Sequence, residues 1–299
     1  WAYRNIIGNF QLEKGSFQVI ETGPIRTIYQ SVFAFKNSRI VMNTIAYSQF
    51  PALEYRLRIH WNEERRRLKL SIPTGFKKDH LICEVPGGII SRPADGEEYV
   101  HGRWFKLEGD DGAAIGIVNS GQLGLDFKDG EVRLSVLRSA AYCHERDYRL
   151  EKYPARKFMD QGVHEVRLLV TAGDAESVRK SLPSLVNWLN APPIVYAHLP
   201  VGSSQIGKNN GTSNQSSVEL KNLMSIEPEN ISLLACKRSW DGEALIVRLQ
   251  EGSGMKTEAL VKFSLPAIER RILFQPLEIK TLRLEKSGRL TEVDLIAEY

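Results

Sequence analysis

Alternation of apolar and polar residues with a period of two runs through most of this chain, and it restricts the fold more than any other feature. From Leu53 to Trp61, the apolar residues Leu53, Tyr55, Leu57, Ile59 and Trp61 fall on one face, and Glu54, Arg56, Arg58 and His60 on the other. Side chains of a strand point alternately to its two faces, so this run predicts a strand with one buried and one polar face. The basic turn Arg65-Arg66-Arg67 follows, then Leu68, Leu70 and Ile72 alternate up to Pro73, and the pair reads as an antiparallel hairpin. Leu123, Leu125 and Phe127 alternate ahead of Lys128-Asp129-Gly130, and Val132, Leu134 and Val136 after it. Asp-Gly between two such runs signals a tight hairpin, because glycine accepts the positive φ that the turn requires.

The same reading extends down the chain. Ala113 to Val118 and Glu165 to Thr171 are expected as strands, and Ile231–Lys237, Ala244–Gln250, Ala259–Leu265, Ile268–Phe274 and Leu277–Leu284 as further ones. A single helix is expected after Asp174, which can cap it, because Val178, Leu182, Leu185, Val186 and Leu189 recur at helical spacing. Pro183 within it is expected to kink or divide that helix, and Pro192-Pro193 to end it. Residues 201–217 are rich in Gly, Ser and Asn and read as a linker or long loop, since they offer too little apolar surface to offset ordering. The expectation is therefore an all-β chain in two modules, a large one over 1–200 and a smaller one over 218–299. A length of 299 residues is enough to bury both cores.

Chemistry with a local signature is scarce. The histidines His60, His80, His101, His144, His164 and His198 form no HxH, HExxH or Cys/His spacing, so no metal site is expected within the chain. There is no GxSxG elbow and no P-loop, and Asp110-Asp111-Gly112 reads as a turn rather than a pair of catalytic carboxylates. Cys83, Cys143 and Cys236 are odd in number and lack a CxxC, which points to free thiols in a reducing, cytoplasmic setting. The sequons at Asn210, Asn214 and Asn230 carry little weight without a secretory signal. The net charge of +4 comes with no basic stripe interleaved with aromatics, so no nucleic-acid partner is expected, and no apolar run is long enough to predict a membrane span. The opening at Trp1 is expected to be a cut inside a longer polypeptide.

Two strand-end segments stand out. Arg138 closes the Val132–Val136 strand in Val136-Leu137-Arg138-Ser139, and Asp160-Gln161-Gly162-Val163-His164 places an acid and an imidazole just ahead of another strand. Strand ends are where β folds often keep sites, and a strand-end ion pair beside a capped turn is the structural alternative.

Several segments, in order, resemble the C-terminal β domains of glycoside hydrolase family 38 α-mannosidases. Val19-Ile20-Glu21-Thr22-Gly23-Pro24-Ile25-Arg26 is similar to an E-x-G-P-x-R entry, Ile59-His60-Trp61-Asn62-Glu63 to a W-x-E strand, and Glu84-Val85-Pro86-Gly87-Gly88 with Arg92-Pro93 to an E-x-P-x-G segment. Val118 to Gly124, Leu134 to Ser139 and Asp160 to His164 continue the likeness, as do Ala235-Cys236-Lys237, Ile246 to Glu251 and Pro276 to Leu282. The resemblance implies a β-supersandwich of galactose mutarotase-like type followed by a smaller C-terminal β-sandwich. It also implies that the parent hydrolyses α-mannosides with retention, using an aspartate nucleophile and zinc in an upstream catalytic domain on the same polypeptide. No catalytic or metal residue carries over to this chain, which alone is expected to be inactive. Arg138 is the implied substrate-proximal residue, with Asp160 and His164 holding that wall; the register around Arg138 is complicated by a long charged stretch from Cys143 to Met159. A homo-oligomer is left open.

Two other readings stand beside this one. A free-standing carbohydrate-binding β protein would need an exposed aromatic platform, for which Trp104, Trp188 and Trp240 are candidates. An aldose mutarotase or epimerase on the same fold would need His60 or His164 to meet Glu84 or Asp160 as acid and base.

Overall fold

A computed structural model describes residues 5–77, 80–141, 158–194 and 222–296. The strands in the first part are β1 (Gln11–Leu12), β2 (Gln18–Thr22), β3 (Arg26–Phe35), β4 (Ser38–Tyr47), β5 (Leu53–Trp61), β6 (Arg67–Pro73), β7 (His80–Val85), β8 (Gly88–Pro93), β9 (Tyr99–Val100), β10 (Trp104–Glu108), β11 (Ala113–Asn119), β12 (Gly124–Lys128), β13 (Glu131–Arg138) and β14 (Gly162–Asp174). Helix α1 (Ala175–Asn190) follows β14 directly. The second part carries β15 (Met224–Glu227), β16 (Ile231–Arg238), β17 (Ala244–Glu251), β18 (Thr257–Ser264), β19 (Ala267–Phe274), β20 (Ile279–Glu285) and β21 (Leu290–Val293). All ladders are antiparallel, so the all-β expectation holds.

The chain divides into two units, Trp1–Asn190 with Gly252–Met255 and Ala191–Glu251 with Lys256–Tyr299. The expected linker at 201–217 lies outside the described residues. In the first unit, a ten-stranded sheet runs β1-β3-β4-β5-β14-β11-β10-β7-β8, with β2 also on β3, and a four-stranded sheet runs β6-β13-β12-β9. Leu57, Ile59 and Trp61 of β5 and Phe105 and Leu107 of β10 meet Leu125 and Phe127 of β12 and Val132 and Leu134 of β13 in the core between the sheets. Helix α1 covers the other face of the large sheet, with Val178, Leu182, Leu185, Val186 and Leu189 against Trp104, Val118 and Leu169. Each such aliphatic side chain contributes roughly 1.5–3 kcal/mol by leaving water. The helix starts where expected, because the Ser177 amide donates to the Asp174 carboxylate at 2.9 Å. Pro183 does not divide it; the helix is continuous through Asn190, with Pro183 buried.

Two local expectations are corrected. The β5 and β6 strands do not form a hairpin: β5 pairs with β4 and β14 in the large sheet, and β6 with β13 in the small one. Both edges of β5 are occupied, so the chain turns at Asn62–Arg66 and crosses to the facing sheet. The first two residues of β5 also invert the expected burial, with Leu53 exposed and Glu54 fully buried. Glu54 is satisfied by Arg56 at 2.7 Å, Arg167 at 2.8 Å and the Tyr47 hydroxyl at 2.7 Å. Burial pushes its carboxyl up, yet Arg56, Tyr47 and Arg167 together hold it below its ordinary value. The Asp129-Gly130 turn forms as expected, both residues having positive φ.

In the second unit, a three-stranded sheet β15-β18-β19 faces a four-stranded sheet β16-β17-β20-β21. Val247, Leu249, Val261, Phe263, Phe274 and Leu282 fill the layer between them. This is the smaller β-sandwich that the family resemblance implies.

Candidate functional site

The crossing from β5 to β6 builds a polar corner at one end of the first unit. Trp61, at the end of β5, buries its ring in the core, and its indole N–H needs an acceptor there. The Ser139 hydroxyl, just past β13, supplies it at 2.7 Å and itself donates to the Glu63 carbonyl. The Ser139 amide donates to the Arg66 carbonyl at 2.8 Å. The Glu63 carboxylate accepts from the Asn37 amide and the Ser38 hydroxyl, both at 3.1 Å, and the Ser38 oxygen accepts from the Asn62 amide at 2.9 Å. Ser38, Trp61, Glu63 and Ser139 are all buried, so the corner is a satisfied network held by four chain segments.

Arg138, Asp160 and His164 sit on the rim of this corner. The Asp160 carboxylate accepts from the Arg138 amide at 3.4 Å, and the His164 Nε2–H donates to the Asp160 carbonyl at 2.8 Å. Asp160 has φ of 54° and Gly162 of 115°, which turns the chain sharply into β14. The three residues are therefore brought together through the backbone, and Arg138 is exposed. The Cys143–Met159 stretch that clouded the register lies mostly outside the described residues; at its edges, Ala141 bridges Phe158 and the Met159 amide donates to the Ala140 carbonyl at 2.9 Å.

Of the pairs an epimerase would need, His164 meets Asp160 only at its backbone carbonyl, and Glu84 is brought to neither histidine. His60 lies opposite Val163, whereas His164 lies opposite Ile59, so the two histidines face opposite sides of the sheet. Glu84 is on β7, three strands from β14, and is engaged by the Arg103 amide at 2.7 Å and guanidinium at 3.1 Å. Three strand spacings of about 4.8 Å, with a five-residue offset along β14, put Glu84 on the order of 20 Å from His164. Among the described residues, no three His, Cys, Asp or Glu side chains are grouped to hold a metal ion. No helix among them is long and apolar enough to cross a membrane.

Of the three tryptophans weighed as platforms, Trp104 is 2% exposed and belongs to the core. Trp188 is 39% exposed and leans on Phe50, with ring centroids 5.2 Å apart. Phe50 and Tyr47 line a shallow apolar hollow of about 290 Å³ with Pro51, Leu53 and Thr171. Trp240 is 97% exposed. The buried corner itself escaped the sequence reading, since Ser139 and Trp61 lie 78 residues apart.

Residues 5–148 match the model of the glycosyl hydrolases family 38 C-terminal domain. Over that span, the chain is similar to this family's C-terminal domain. Two solved structures share the fold of nearly the whole chain. An α-mannosidase from Enterococcus faecalis V583 matches with a TM-score of 0.69 at 14% identity, over 93% of this chain and 35% of its own. A glycosyl hydrolase family 38 protein from Enterococcus faecalis matches with a TM-score of 0.70 at 15% identity, over 93% and 37%. The chain thus spans little more than a third of their length. No curated protein matches by sequence. The motif residues that carried the family 38 resemblance contact one another in the fold. Glu21 and Arg26 form a two-pronged pair at 2.7 and 3.0 Å, and the Trp61-x-Glu63 and Arg138-Ser139 segments meet in the buried corner.

Proposed function

We propose that this chain is the non-catalytic C-terminal region of a zinc-dependent, retaining α-mannosidase, supporting and lining the active site of an upstream catalytic domain on the same polypeptide. The observation that carries the reading is the match of residues 5–148 to the family 38 C-terminal domain. In this reading the catalytic domain supplies the metal and the nucleophile, and this chain supplies neither.

The role left to the chain is to present a wall. Arg138 is exposed, and the five N–H donors of its guanidinium suit sugar hydroxyls or a carboxylate of the catalytic domain. The hydrogen bonds of Asp160 and His164, backed by the Ser139 network, fix the backbone beneath it. The first strands support the presence of a covering domain. Phe17, Val19, Ile20, Ile25 and Tyr29 are all exposed, and Phe17 stacks on Tyr29 at 6.0 Å. Val19 lies opposite Tyr29, so these two and Phe17 form an exposed apolar cluster, a feature that marks a face packing against something else. The thiols of Cys83 and Cys236 are free, which suits a reducing, cytoplasmic setting.

In the enzyme carrying both domains, Arg138→Ala is expected to lower kcat/KM roughly ten- to hundredfold, with Arg138→Lys in between. An unchanged kcat/KM in Arg138→Ala removes Arg138 from the substrate wall.

A further inference from the structure

Trp240 is the most exposed large hydrophobic residue among those described, at 97%, and its place in the fold accounts for that exposure. It occupies the second position of the β-turn Ser239–Gly242, closed by the Gly242 amide donating to the Ser239 carbonyl at 2.9 Å. That position has no need of an indole; most residues fit it. The turn is also unusually well fixed. The Asp241 carboxylate accepts from the Ser239 hydroxyl at 2.6 Å, the Glu243 amide at 3.0 Å and Arg283 at 2.7 Å. Arg238 clasps the Gly242 carbonyl from the other side at 3.0 and 3.2 Å, and the Ser239 hydroxyl accepts from the Ala244 amide at 2.9 Å.

A fixed turn that holds a bare indole in water has already met the backbone share of the ordering cost of binding. The surroundings decide what it would bind. Beside the turn stand Arg238, on the Gly242 carbonyl, and Glu243 and Lys286, paired at 3.2 Å. Arg238 uses two of its five donors, and Glu243 and Lys286 keep further acceptor and donor capacity. The nearest exposed leucines on the same strand, Leu233 and Leu234, are six or seven residues back, roughly 20 Å along a strand. A protein anchor of the usual kind sits inside an apolar patch, whereas the side chains shown beside this turn are charged. A pyranose fits better: its face of C–H groups meets the negative face of the indole, and its edge hydroxyls meet the charged rim.

We propose that Trp240 is a surface carbohydrate-binding platform, taking a pyranose residue of an α-linked mannan. The platform itself follows from the geometry of the turn, whereas the choice of mannan rests on the α-mannosidase reading.

The test is native gel electrophoresis of the full chain through gels containing α-mannan, an α-glucan or a β-glucan. The wild type is expected to be retarded by α-mannan, with apparent affinity about tenfold weaker in Trp240→Ala and largely retained in Trp240→Tyr. Urea midpoints of the variants should match the wild type, since the side chain packs against nothing. Retardation by a glucan alone, lost in Trp240→Ala, would support the platform and count against mannan and the α-mannosidase reading. No retardation by any polysaccharide, or retardation unchanged in Trp240→Ala, would overturn the platform. A change of oligomeric state in Trp240→Ala would overturn it too, by showing a protein contact.

Discussion

The buried indole of Trp61 donates to the Ser139 hydroxyl at 2.7 Å, tying the end of β5 in the large sheet to the end of β13 in the small one. Ser139→Ala strands that N–H in the core, and leaves the Glu63 carbonyl only the longer bond from Gln161 at 3.4 Å. The expected loss is about 1–3 kcal/mol, read as a lower urea midpoint with an unchanged m-value. The loss should shrink in a Trp61→Phe background, where no indole N–H remains to be stranded.

Glu54→Leu tests the buried charge at the start of β5. Removing the carboxylate leaves Arg56, Arg167 and the Tyr47 hydroxyl without their shared acceptor. The expected cost is on the order of 3 kcal/mol, toward the low end for a broken buried pair because both guanidinium groups remain partly in water. Thermal unfolding with and without the substitution measures it. The carboxyl titrates below its ordinary value, so its contribution is present above pH 4.5 and fades as the pH falls through the folded-state pKa.

His101 gives a pH dependence of the same sign in a higher window. It is 1% exposed, neither ring nitrogen has a hydrogen-bond partner among the described residues, and it meets Phe105 edge-on at 5.4 Å. Burial, with Arg92 nearby, pulls its pKa down to about 4 from 6.5. Between those values the unfolded chain binds a proton that the folded chain refuses, so stability falls as the pH drops from 6.5 toward 4. The full effect is on the order of 3 kcal/mol. His101→Phe should remove that slope from urea midpoints taken across the window, at little cost near pH 7.

How far the sequence anticipates this depends on how local each signal is. The Asp129-Gly130 turn, the Asp174 cap and the helical spacing up to Leu189 are decided by neighbours in sequence, and they form as read. The hairpin expected between β5 and β6 does not form, because strand partners are chosen by the whole sheet, and β4 and β14 occupy both edges of β5. Leu53 and Glu54 invert for a partly similar reason, since Arg167, 113 residues away, joins Arg56 and Tyr47 in satisfying the buried carboxylate. Arg138, Asp160 and His164 were legible as strand-end polar groups, yet the buried support behind them was not. The signal for it lay in pairing the Trp61-x-Glu63 motif with the Arg138-Ser139 motif, which no local pattern reveals.

The central claim is that this chain completes an α-mannosidase without catalysing the reaction itself. Hydrolysis of an aryl α-mannoside by the chain alone, and by the longer polypeptide carrying the upstream domain, with and without a chelator, tests it most directly. The account predicts no turnover by the chain alone, and turnover by the longer polypeptide that is lost on chelation. Turnover by the chain alone, or an inactive longer polypeptide, would contradict it.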